Sequence, residues 1–147
     1  MRKSEQYRII PELKIILEYF CGKTGLIDLV EHRKILIQDN DYDSNFNSIT
    51  DFRDTDFVAS RKDVAAYVEF TKSTPKMIGK RRAAILADTP QQTVIPAIYI
   101  LKTQDLPFQI EIFSTLAAAI NWVNLSDDDL ETLEDILKEM RNNAICK

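Results

Sequence analysis

A short apolar hairpin, followed by a regular alternation of strand-type and helix-type segments, constrains this chain more than any single residue does. Tyr7-Arg8-Ile9-Ile10 has strand character and stops at Pro11. Ile15 to Cys21 has it again and stops at Gly22. The spacer Pro11-Glu12-Leu13-Lys14 suits a hairpin between them. Thr24 then caps an expected helix from about Gly25 to Asp39, and Phe46 to Phe52 is a third strand. Ser60, with Asp63 three residues on, has the spacing of a capping box and opens a helix to about Ser73. Arg82 to Asp88 is a fourth strand whose continuous apolar centre suits burial on both faces. Thr89-Pro90 starts another helix, in which Pro96 predicts a kink or a delayed start. Gln109 to Phe113 alternates as a fifth strand, and Ser114 caps Thr115 to Val123. The acidic run Ser126-Asp127-Asp128-Asp129 opens a last helix with a stripe of Leu130, Leu133, Ile136, Leu137 and Met140. Parallel strands need long crossovers, usually helices, so the order predicts an α/β fold: a mixed, mostly parallel sheet of four or five strands with flanking helices and an extra C-terminal helix.

Composition narrows the class. At 147 residues the chain favours one domain, and 45% hydrophobic with 29% charged residues is a globular mix. A net charge of -4 supplies no global field for nucleic acid. No apolar run reaches the roughly 20 residues of a membrane span, and the basic start Met1-Arg2-Lys3 is followed by no signal-type apolar stretch. Cys21 and Cys146 show no metal or framework spacing, so two free thiols in a cytoplasmic protein are expected.

The end of the third strand is the first place to look for a site. There Asp51, Arg53, Asp54, Thr55, Ser60 and Arg61 gather in what the pattern predicts is a turn leading to a helix. A guanidinium fork suits a carboxylate or phosphate, and this turn is expected to face a protein partner. The competing view is an Arg stitched to a neighbouring Asp. Thr55 and Ser60 are the candidate phosphosites of the turn, although Ser60 also serves as a helix cap. The basic cluster Lys72, Lys76, Lys80, Arg81 and Arg82 is expected to be a solvated connection. His32 is the lone histidine, and no Cys stands near it to build a metal site. Asp39, Asp41 and Asp43 alternate like a calcium loop, but Ser44 and Thr50 occupy the positions that need Gly and Glu. Gly22-Lys23-Thr24-Gly25 lacks the rest of a phosphate loop. The carboxylates look scattered over exposed faces, so no enzyme, metal or cofactor is expected.

Three places carry a family likeness: the opening hairpin, the strand end Thr50-Asp51-Phe52-Arg53-Asp54, and the closing Glu111-Ile112-Phe113-Ser114, Ala117-Ala118-Ala119 and Trp122-Val123. Their order resembles the SpoIIAA-like family, which groups the STAS domains of anti-sigma-factor antagonists with lipid-binding Sec14 (CRAL-TRIO) domains. The likeness implies a domain over residues 1-124, with 125-147 as a helical extension packed on the domain or on a second copy as a homodimer contact. It also implies a bacterial, non-enzymatic protein-interaction and regulatory module with an unknown protein partner. The alternative is a Sec14-like binder of a small lipophilic ligand, in a greasy space beneath the helix of Val94, Ile98, Tyr99 and Leu101. Against the antagonist pattern, no Asp-Ser-Ser-Gly run follows Asp51, which leaves the phosphoswitch without its usual residues.

Overall fold

The computed structural model describes residues 5–146, and the basic Met1–Ser4 lies outside them. Five strands form one sheet in chain order: β1 (Glu5–Ile10), β2 (Ile15–Thr24), β3 (Asn47–Phe57), β4 (Arg82–Leu86) and β5 (Gln109–Phe113). β1 runs antiparallel to β2, and the other three pairings are parallel. A one-turn 3₁₀ segment, Pro11–Leu13, closes the hairpin, with Lys14 left-handed at φ 52°. The helices are α1 (Leu26–Leu36), α2 (Arg61–Lys72), α3 (Pro90–Lys102), α4 (Leu116–Ile120) and α5 (Leu130–Asn143). Right-handed crossovers between strands that advance in one direction put α1, α2 and α3 on the same face of the sheet. The opposite face is left for α4 and α5.

Strand alternation sorts the side chains accordingly. Ile15, Leu17, Tyr19, Cys21, Ile49, Ala84 and Leu86 pack with Leu116, Ile120 and Val123 and with Leu133, Leu137 and Met140 of α5. The C-terminal stripe is thus spent on its own sheet, each large side chain contributing about 1.5–3 kcal/mol. Phe20, Phe52 and Ile85 point the other way, toward α1 and α2.

Several expectations need correction. Cys21 and Cys146 are not free: they form a disulfide with Cα atoms 5.2 Å apart, tying the tail beyond α5 to β2. This removes the thiol-based argument for a reducing cytoplasm. β2 extends to Thr24, so Gly25 rather than Thr24 caps α1, its N–H donating to Asp28 Oδ2 at 2.8 Å. α1 ends at Leu36, short of Asp39. α3 runs unbroken from Pro90, so Pro96 does not delay its start. Thr115, not Ser114, caps α4. Ser60 does cap α2, in a reciprocal box with Asp63. The basic stretch is not simply solvated. The Arg82 guanidinium lies 4.6 Å over the Trp122 ring, and Arg81 turns inward over Phe108. Gly79 makes this path possible: a Cβ there would sit 2.6 Å from the carbonyl carbon of Ser44.

Candidate functional site

The expected turn is part of a strand. β3 does not stop at Phe52 but continues to Phe57, because β2 beside it also continues and supplies partners as far as Thr24. Asp51, Arg53, Asp54 and Thr55 are therefore ladder residues, while Ser60 and Arg61 stay exposed at the start of α2. Between the pairs Tyr19–Asp51 and Cys21–Asp54, β3 advances three residues to two in β2. This bulge resets the alternation and returns Asp54 to the face that Asp51 occupies. Both carboxylates then meet α5.

Asp51 is fully buried and accepts a two-pronged bond from Arg53, Nε and Nη2 each 3.0 Å away. Asp54 Oδ2 accepts from Tyr19 Oη at 2.6 Å and from Arg141 Nε at 2.8 Å. Burial pushes the Asp54 carboxyl up, but these two donors outweigh it and hold it below the ordinary value. β3 outruns β4, and Gln92 of α3 covers the carbonyls left over, donating to those of Arg53 at 2.7 Å and Thr55 at 3.3 Å. The Thr55 hydroxyl is buried without a partner. The cluster around Asp51 stitches β2, β3 and α5 together.

A second arrangement lies on the other face. Between the sheet and α1, α2 and α3 is a chamber of about 100 Å³. Its walls are mainly apolar and aromatic, with Phe20, Phe52, Phe57, Ile85, Ile95 and Ile110 among them. Helices here run antiparallel to the strands they cover. Leu26, Phe57, Ala59 and Asp63 consequently stand at the strands' carboxyl end, and Arg33, Ser48, Met77, Arg81 and Tyr99 at their amino end.

Beneath the amino end lies Glu18, 1% exposed on β2. Its Oε1 accepts from His32 Nε2 at 2.9 Å and meets Arg33 Nη2 at 3.3 Å, and its Oε2 accepts from Thr50 Oγ1 at 2.7 Å. Burial works to raise its pKa, yet Arg33, then His32 and Thr50, pull it down to about 2. Burial works against the Arg33 charge too, but Glu18 holds its pKa above the usual value. Arg33 Nε is buried without a partner. Arg81 donates to the Met77 carbonyl at 2.8 Å and the Ser44 carbonyl at 3.4 Å, and its pKa is lowered mainly by burial and then by Arg33. Tyr99, hydrogen-bonded to Thr71, is pushed up to about 12 by burial. Among the described residues no group of three or more His, Cys, Asp or Glu side chains converges as a metal site.

Sequence reasoning missed the Glu18 cluster beneath this chamber, but a signal for it existed. Glu18 is the one charged residue inside Ile15-Ile16-Leu17-Glu18-Tyr19-Phe20-Cys21, and a buried carboxylate requires donors. His32 and Arg33, neighbours on the next helix, are those donors.

The architecture, a mostly parallel five-stranded sheet with flanking helices and a C-terminal helix, is a SpoIIAA-like α/β fold. The crystal structure of an uncharacterized protein of the DUF3478 family, from Shewanella loihica PV-4, is similar to it with a TM-score of 0.56. The two are 14% identical over 82% of this chain and 94% of that one, and the solved protein is described as having a SpoIIAA-like fold. No family model matches the chain, and no curated protein matches it. No helix among the described residues is long and apolar enough to cross a membrane.

Proposed function

We propose that this chain is a non-enzymatic binding module whose working part is the chamber between the sheet and α1–α3, holding a small lipophilic ligand. The chamber itself carries this reading. The chamber is a partly open pocket of about 100 Å³ between aromatic walls, more space than close-packed side chains leave. Pockets lined mainly by apolar and aromatic side chains with a few polar groups are the usual seats of small ligands. Against catalysis stands Glu18, whose carboxylate is engaged on both oxygens and held far below neutral pH, so it is a poor general base. The test is a titration of ¹⁵N-labelled protein with 1-hexanol. Shifts confined to chamber residues, and lost in Val64→Phe, support the reading. Absence of shifts up to the solubility limit, or equal shifts in Val64→Phe, contradicts it.

A second reading, a protein-interaction module of STAS type, draws on the exposed segment after β3. Val58 there is 55% exposed, beside the exposed Ser60 and Arg61. Ser60 is the accessible phosphosite candidate of that segment, since the Thr55 hydroxyl is buried. Pull-downs with Val58→Glu and Arg61→Glu test it better than changes at Asp51, whose loss would strand a buried network. Capture of the same partner by wild type and double variant alike would end this reading.

A further inference from the structure

We infer that the chamber selects a small monoanion: a carboxylate on a short aliphatic body, its charge against Arg33 and Arg81 and its body among Phe20 and Phe52. The inference rests on the reading of the chamber as a ligand site and adds the chemistry of the ligand.

The argument begins with charge. Arg81 makes no ion pair among the described residues; its guanidinium meets two backbone carbonyls and the face of Phe108. Arg33 reaches Glu18 through Nη2 and also interacts with Tyr67, while no acceptor among the described residues meets its buried Nε. Glu18 already meets His32 and Arg33 through Oε1 and Thr50 through Oε2. Two guanidiniums at the amino end of the chamber thus stand against one carboxylate, and neither is wholly closed off from water. Asp63, the carboxylate in the chamber wall, stands at the far end and accepts from Ser60 N at 2.8 Å. An arginine fork is shaped for a carboxylate and is worth more out of water than in it.

Polarity and size supply the rest. Away from Arg33 and Arg81 the walls are Phe20, Phe52, Ile85 and Ile110, which offer an anion's tail dispersion contacts and no donors. Benzene takes a cavity of roughly 150 Å³, so a partly open chamber of about 100 Å³ suits a short, slender aliphatic chain rather than a ring.

Calorimetric titration of the full chain with sodium hexanoate and with 1-hexanol, matched in length, separates the elements of this inference. The expected result is hexanoate binding at least about tenfold tighter than hexanol, the effect of one buried charge-assisted contact. Arg81→Gln is expected to lower hexanoate affinity at least about tenfold and leave hexanol within about twofold. Nuclear Overhauser contacts on the wild type give an independent reading if that variant fails to fold. The hexanoate α-methylene should lie near Tyr99 and its methyl near Phe52. Hexanol binding as tightly as hexanoate overturns the anion inference and leaves the chamber reading standing. Hexanoate affinity unchanged in Arg81→Gln, or the ligand seated in reverse, overturns the placement of the charge. Binding of neither probe removes the ligand-site reading and this inference with it.

Discussion

A carboxylate carried into a protein interior stays ionised only where donors replace the water it loses. Glu18 is such a case: three side chains supply the donors, and its pKa falls to about 2. The sign of the consequence follows from linkage. A folded-state pKa below the ordinary 4.5 adds stability that is complete above that value and is lost as pH falls toward 2. Asp54, also lowered, acts in the same direction. Glu18→Gln should therefore destabilise the chain at pH 7 by about 3–5 kcal/mol, because it leaves Arg33 buried without its counter-charge. It should also flatten the acid limb of the stability curve between about pH 4.5 and 2. Urea unfolding at several pH values checks both, and an unchanged limb would remove Glu18 from the account. Residue-scale features were unevenly legible in the sequence. The Ser60–Asp63 box was visible because its partners are three residues apart. The fate of Asp51 and Asp54 was not, because a bulge decides it, and bulges arise from pairing with another strand rather than from local composition.

At the scale of elements, α5 illustrates what periodicity does and does not say. Its apolar stripe was plain, but periodicity cannot name the surface that the stripe will meet. Leu133, Leu137 and Met140 are 0%, 3% and 3% exposed against this chain's own β2 and β3, and the disulfide to Cys21 fastens the segment that follows. Arg141 adds its bond to Asp54. A chain cut after Asn124 would expose Ile15, Leu17, Tyr19 and Ile49 together, so it should fail to fold cooperatively. Cys146→Ala alone should cost roughly 2–5 kcal/mol, the range for a cross-link closing a long loop. Circular dichroism and thermal unfolding of both chains check this. A truncated chain melting like the full one would show α5 to be an appendage. The strand–helix order was legible because turn residues and caps punctuate it. The strand ends were not, since β2 and β3 prolong each other past Gly22 and Phe52 through mutual pairing.

For the whole molecule, one sheet serves two faces with different tasks. The face under α4 and α5 is densely apolar and cross-linked. The face under α1–α3 holds a buried ion cluster and a chamber. Fold class followed from element order, whereas the chamber depended on how far three helices stand from the sheet, a distance that no local pattern encodes. The Sec14-like alternative placed a greasy space beneath the helix of Val94, Ile98, Tyr99 and Leu101; of these only Tyr99 lines the chamber, beside Ile95 and Pro96, while Val94 and Leu101 are exposed. The most direct test is a crystal structure of the chain soaked with 1-hexanol. The account predicts one molecule in the chamber, its chain against Phe20 and Phe52. Side chains of α2 and α3 closed onto the sheet, with no room for the alcohol, would contradict it.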